Sequence, residues 1–182
     1  MKVVISAGFL CAAVVLCADQ PPSPHAAVLS DFEKRLGDYS QLRDRARSGL
    51  PRLKDGASPE AITRHEKALA ERLRAVRSSA QPGDIFTPDA VTEFRRLITE
   101  AMKGREAALV HQSLKHAEPV KFTLRVNETY PRDLPLQSTP PTLLLYLPEL
   151  PSGLDYRVLG HDLILRDAEA NVIIDFISGV VP

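Results

Sequence analysis

Cysteine is almost missing from this 182-residue chain: it has two, Cys11 and Cys17, both at the N-terminal end. A chain cut just after Cys17 or Ala18 holds none, which removes disulfide staples, thiol catalysis and thiolate metal sites together. Tryptophan is absent and aromatics make up only 5% of the residues, so there is no aromatic series on which nucleic-acid bases could stack. Charge of one sign is missing too. The 23 basic and 23 acidic side chains cancel, so neither nucleic-acid binding nor the coating of an anionic membrane is indicated. The longest apolar run, Val3 to Leu16, falls short of the roughly 20 residues of a spanning helix, so no transmembrane span is expected in the mature chain. Gly-x-Ser-x-Gly, P-loop and Rossmann glycine patterns are all lacking.

What is present begins with an address. Met1-Lys2, the apolar run and the small residues that precede Asp19-Gln20-Pro21-Pro22 read as a secretory signal peptide over residues 1–18. Cleavage after Cys17 places Val15 at the third position back, and cleavage after Ala18 places Leu16 there. A lipid-anchored or uncleaved, membrane-anchored form is the alternative. Residues 19–28 then form a proline-bearing disordered leader, and the expected location is the periplasm or the exterior. A mature chain of 182 − 18 = 164 residues is long enough to bury about two thirds of its unfolded surface without staples.

Residues 29–113 read as helical. Ser30-Asp31-Phe32-Glu33 is a capping box, and Phe32, Leu36, Tyr39, Leu42 and Ala46 follow at helical spacing until Gly49 and Pro51 stop the pattern. Ser58-Pro59 opens a second helix with the stripe Ile62, Leu69, Leu73 and Val76. Thr87-Pro88 opens a third, with Phe86 folding over Val91 as a staple and the face running through Phe94, Ile98, Ala101 and Met102 toward Leu109, across Gly104. The short connections predict a three-helix bundle or a helical hairpin.

Residues 114–182 follow another grammar. Val120, Phe122, Leu124 and Val126 alternate with polar residues, the pattern of a strand at 120–127. Seven of the 15 prolines lie between Pro119 and Pro151, which leaves room only for a short helix after Pro140-Pro141. Tyr156–Leu159, a Gly160-His161 turn, Asp162–Arg166, a turn over Asp167–Asn171 and Val172–Ile177 read as a three-stranded antiparallel meander. Its face of Tyr156, Val158, Leu163, Leu165, Ile173 and Phe176 is expected to meet the helices, giving an α+β fold.

The segment Tyr156-Arg157-Val158-Leu159-Gly160-His161-Asp162 through Ile173-Ile174-Asp175-Phe176, with Gly83-Asp84-Ile85-Phe86-Thr87-Pro88 and Leu124-Arg125-Val126-Asn127 upstream, resembles a set of uncharacterised exported bacterial proteins. That resemblance implies location and architecture, and no activity. The order of tyrosine, strand, glycine turn, strand, aspartate turn and strand is also similar, more distantly, to the meander of the periplasmic nickel/cobalt-homeostasis family.

Candidate sites are few. The histidines are scattered: His25 lies in the leader, His65 beside the stripe of the second helix, and His111 and His116 after the third. His161, Asp162, Asp167, Glu169 and Asp175 form the only concentration of imidazole and carboxylate, the donor set a metal ion would need. Against that, turn aspartates are favoured because they bond their own backbone, and Asp162 and Asp167 are expected to point outward. Arg64, Lys67, Arg72, Arg74 and Arg77 form a basic face on the second helix, a dock for an acidic partner or an ordinary solvated face. Asn127-Glu128-Thr129 matches a glycosylation sequon. The reading that results is an exported, non-enzymatic interaction or structural module of the cell envelope, without a cofactor, whose partner is another envelope protein or a second copy. A periplasmic metal-binding protein is the alternative, and an enzyme of unrecognised type comes third.

Overall fold

Each of the three long helices starts where a hydroxyl residue precedes proline. In the computed structural model, which describes residues 23–103, 107–108, 112, 122–132 and 140–181, α1 spans Pro24–Arg47, α2 Pro59–Val76 and α3 Pro88–Ala101. The oxygens of Ser23, Ser58 and Thr87 accept from the amides of Ala26, Ala61 and Ala90 at 3.2, 3.3 and 3.3 Å. Proline at the first helical position has no amide to leave orphaned, so the hydroxyl serves the next free donor. This corrects the expected start of α1. The helix begins at Pro24 rather than at the Ser30 box, and His25, expected in a disordered leader, lies in its first turn and meets Glu93 Oε2 at 2.6 Å. The expected continuation of α3 through Gly104, together with His111, His116 and the signal segment, lies outside the described residues.

Strands β1 (Leu154–Leu159), β2 (Asp162–Asp167) and β3 (Val172–Ile177) form an antiparallel sheet in the order β1-β2-β3. The first turn places Gly160 at φ 58° and the second places Asn171 at φ 51°, conformations that glycine and asparagine adopt most easily. A short helix, α4 (Pro141–Leu144), precedes the sheet. The architecture is thus α+β, three helices followed by a meander.

The sheet buries both faces. Leu154, Tyr156, Val158, Leu163, Leu165, Ile174 and Ile177 pack on Phe32, Leu36, Phe86, Phe94 and Ile98, where the three phenylalanine rings lie 5.0–5.5 Å apart. A bulge between Leu165 and Arg166 alters the register of β3. Leu165 faces Asp175 and Arg166 faces Ile173, so Ile174 is the extra residue and Ile174 and Asp175 both serve the helical side. Ile173 and Phe176 therefore turn to the opposite face, contrary to the expected helix-facing set. There they meet Tyr130, Leu159, Ile164, Phe122 and Leu124.

The back of the sheet is covered by chain that is not a strand. Residues 122–125 have no regular secondary structure and 126–128 turn, so the described part of the expected fourth strand at 120–127 is not a strand; a single bridge joins Thr129, just beyond it, to Val172, residues 120–121 lying outside the described set. Backbone bonds from Asn127 N to Ile173 O, Ile173 N to Glu128 O and Tyr130 N to Asn171 O hold this segment to β3. The sharp turn at Asn127, with φ 68°, breaks the alternation that the sequence suggests. On α2 the buried face is His65, Leu69, Ala70 and Leu73, while Ile62 and Val76 are 45% and 56% exposed. The stripe is rotated because α2 packs on α1 and on Ala170 and Val172 through small residues.

Candidate functional site

The acidic residues of the meander are taken up one by one in the frame of the protein. Asp167, expected to point outward, is fully buried. Its Oδ2 accepts from the Tyr39 hydroxyl at 2.8 Å and its Oδ1 from the amides of Glu169 and Ala170. Burial, and then the Asp167 charge, push the Tyr39 hydroxyl far above the ordinary tyrosine pKa. Arg43 Nη1 stands 3.9 Å from the same carboxylate, while its Nη2 donates to Ser152 O at 2.9 Å.

Asp175, also fully buried, accepts the amides of Gly83, Ile85, Phe86 and Phe176 at 2.8–3.0 Å. One carboxylate thus fixes the loop that leads into α3. Asp162 caps the amide of Gly179, and His161 Nδ1 meets Val181 O at 2.9 Å. Glu169 turns toward α2 instead: its Oε1 lies 3.0 Å from His65 Nε2 and its Oε2 accepts from Arg47 at 3.4 Å. The five candidate metal ligands are therefore not brought to one point. Among the described residues no group of three or more histidines, cysteines, aspartates or glutamates converges in a way that could hold a metal ion.

The basic face of α2 divides in the same manner. Arg77 is buried, donates to Asn127 Oδ1 and Ile174 O, and stacks 5.1 Å from the Tyr39 ring centre. Burial lowers its pKa from the ordinary arginine value. Arg74 bonds Asn127 O and Thr129 Oγ1, tying α2 to the segment behind the sheet. Arg72 donates to Ala46 O and Ser48 O, the free carbonyls at the end of α1. Only Arg64 and Lys67, both exposed, make no hydrogen bond or ion pair among the described residues. Asn127, the first residue of the sequon, spends its side-chain amide on Arg77 O at 2.7 Å.

Arg64 and His65 also line a concave surface. Between the α1–α2 connection, residues 48–58, and the N-terminal half of α2 lies a slot of about 470 Å³ whose apolar wall is Leu50, Pro51, Leu53, Ala57, Ala61 and Ala68. His65 forms its floor, and Arg52, Lys54 and Arg64 are its charged lining residues. A second, more polar hollow of about 610 Å³ adjoins it, sharing Leu50, Arg52, Leu53 and His65 and adding Asp44, Arg47 and Glu169. Residues 51–56 are exposed, and Leu53 shows 42% of its surface. The alanines of α2 open the slot, since one methyl group each leaves the facing wall bare.

Of the residues that line the slot, Arg64 and His65 are candidates from the sequence and those of the connection are not. The available signal was the run Leu50-Pro51-Arg52-Leu53-Lys54, apolar and cationic residues alternating where a solvated loop ordinarily carries small polar ones. No known protein family, curated protein or solved structure matches the chain. Among the described residues no helix is long and apolar enough to cross a membrane.

Proposed function

We propose that the chain is an exported, non-catalytic binding protein, an interaction module of the cell envelope, and that the slot beside α2 is its contact surface. The address rests on the basic, apolar and small-residue order of Met1 to Ala18. The observation that carries the binding reading is the contrast between spent and unspent side chains. The buried aspartates, arginines and tyrosine at the centre are committed to one another, whereas Arg52, Lys54 and Arg64 face an apolar slot without a partner among the described residues. A pocket with an apolar wall and a few placed polar groups is the usual form of a binding site.

A photo-crosslinking residue at Leu53, compared with one at the exposed Thr99 of α3, tests this reading in cells that express the full chain. A discrete adduct at position 53 and none at 99 is expected. Equal adduct patterns at both positions remove the slot as a contact surface. N-terminal sequencing of the exported fraction is expected to start near Ala18 or Asp19, and an intact Met1-Lys2 in soluble cytoplasm refutes the address.

A further inference from the structure

The slot beside α2 has a property that selects among occupants: its charged lining residues, Arg52, Lys54 and Arg64, are all cations, and no carboxylate lines it. Asp55 and Glu60 adjoin Lys54 and Ala61 in the chain but do not line the slot, and of the acids of the adjoining hollow Glu169 is held by His65 and Arg47 and Asp44 by Arg47. An apolar wall whose charged lining residues are all positive is complementary to a molecule with an apolar body and one anionic end. Size narrows the class further. About 470 Å³ suits one small ligand, whereas a specific protein partner covers about 800 Å² on each side.

The geometry points to a single-chain anionic amphiphile, an alkyl chain ending in a carboxylate or phosphate, as the ligand of this slot. The chain lies against Leu50, Leu53 and Ala61, and the head group is met by Arg52, Lys54 and Arg64. His65 closes the floor and is itself fixed by Glu169, so it shapes the slot while the arginines and the lysine supply the attraction. The connection donates most of the wall. Its one internal backbone bond among residues 51–57 runs from Ala57 N to Lys54 O, so the wall can adjust to chain length at little cost. This assignment rests on the binding reading above and adds the chemical class of the ligand to it.

The test uses the full chain, isotopically labelled, titrated below micelle-forming concentrations with dodecanoate, dodecyl phosphate and dodecyltrimethylammonium, and with acetate as a head group without a chain. Dodecanoate or dodecyl phosphate is expected to bind one to one with a dissociation constant below about 0.1 mM, moving the amide signals of Leu50–Ala57 and Ala61–Ala68. The two heads tell a carboxylate from a phosphate ligand. Ala61→Trp, which fills the slot, is expected to abolish these shifts. Lys54→Glu with Arg64→Glu, which keeps the apolar wall and reverses the charge of two lining residues, is expected to weaken binding at least tenfold. Equal affinity for the cationic amphiphile overturns the proposal, as do shifts that persist in Ala61→Trp or centre on the exposed Leu144–Tyr146. No binding by either anion, with the crosslink at position 53 intact, also overturns it, and assigns the slot to an acidic protein segment while the binding reading stands.

Discussion

Two regions of this protein use the same residue types for opposite ends. At the seam between helices and sheet, Asp167, Asp175, Tyr39, Arg43 and Arg77 are buried and bonded to one another or to backbone; beside α2, Arg52, Lys54 and Arg64 stand at an apolar slot with nothing to pair with among the described residues. Taking a charge out of water is costly, so a buried charge persists only where hydrogen bonds replace the lost hydration. An exposed one bears no such cost and is free for a ligand. The expected consequence is that substitutions at the seam change stability, and substitutions at the slot change binding and leave stability within about 0.5 kcal/mol.

The largest effect is expected at Asp175. Asp175→Ala strips the amides of Gly83, Ile85 and Phe86 of their acceptor inside the fold, and each buried donor left unpaired costs about 1–3 kcal/mol. A loss of about 3–5 kcal/mol is expected, read as a fall in the urea midpoint. Arg64→Ala in the same assay is expected to unfold near the wild-type midpoint. Matching midpoints for the two variants would erase the division between frame and slot.

Gly153 sharpens the same contrast from the backbone side. Its φ is 85°, and a Cβ placed there would lie 2.5 Å from Arg43 Nη1. Gly153→Ala combines the left-handed penalty of about 1–2 kcal/mol with displacement of the guanidinium beside Asp167. A loss of about 2–3 kcal/mol is expected. A loss limited to the backbone penalty of about 1–2 kcal/mol would mean that Arg43 can move aside, and that its buried Nε and Nη1, which have no hydrogen-bond partner in the structure, hold no fixed place.

Tyr39→Phe comes next. It removes the hydroxyl that Asp167 accepts at 2.8 Å and leaves that oxygen with Arg43 at 3.9 Å, so a loss of about 1–2 kcal/mol is expected. The sign with pH also follows. The folded-state pKa of Tyr39 is raised, so its contribution is complete below the unfolded value of about 10 and declines above it. The gap between wild type and Tyr39→Phe is therefore expected to narrow in alkaline solution; a gap that widens there contradicts the assignment.

Why the meander was legible and the seam was not is a matter of range. Gly160-His161 and Asp167–Asn171 act within a few residues, and turn chemistry of that kind declares itself locally. The helix starts at Ser58-Pro59 and Thr87-Pro88 do the same, and Ser23-Pro24 carried the identical signal, masked by a capping box six residues on. The turn bonds of Asp167 to the amides of Glu169 and Ala170 are local, but the helix-side partners of Asp167 and Asp175 lie 128 and about 90 positions away, and nothing in the neighbouring residues marks either carboxylate as internal. The bulge at Ile174 is invisible for the same reason: it exists only relative to β2, and it turns Phe176 to the back of the sheet. The slot had a local signal in Leu50 to Lys54, but its other wall comes from alanines whose spacing reads as ordinary helix.

The smallest effect is expected at a carboxylate that belongs to neither region, and it tests whether burial alone turns a charge into frame. Glu93 on α3 has a side chain only 5% exposed, held by Arg96 at 2.6 Å and by His25 at 2.6 Å. Hydrogen bonding from Arg96, opposed by burial and aided by His25, keeps its carboxyl below the ordinary glutamate range. A group with a depressed folded-state pKa stabilises the fold above the unfolded value, about 4.3, and loses that contribution as the pH falls through the folded value. Glu93→Gln keeps the shape and removes the titration. The difference in urea midpoint between wild type and Glu93→Gln is therefore expected to be present at pH 7 and to shrink at about pH 3.5. Because Arg96 is half exposed and its pairing is screened by solvent, the difference at pH 7 is expected to fall well short of that at Asp175. A difference that stays constant across this range would mean that Glu93 contributes packing alone, and that only the carboxylates bonded to backbone amides across the seam act as charge in the frame.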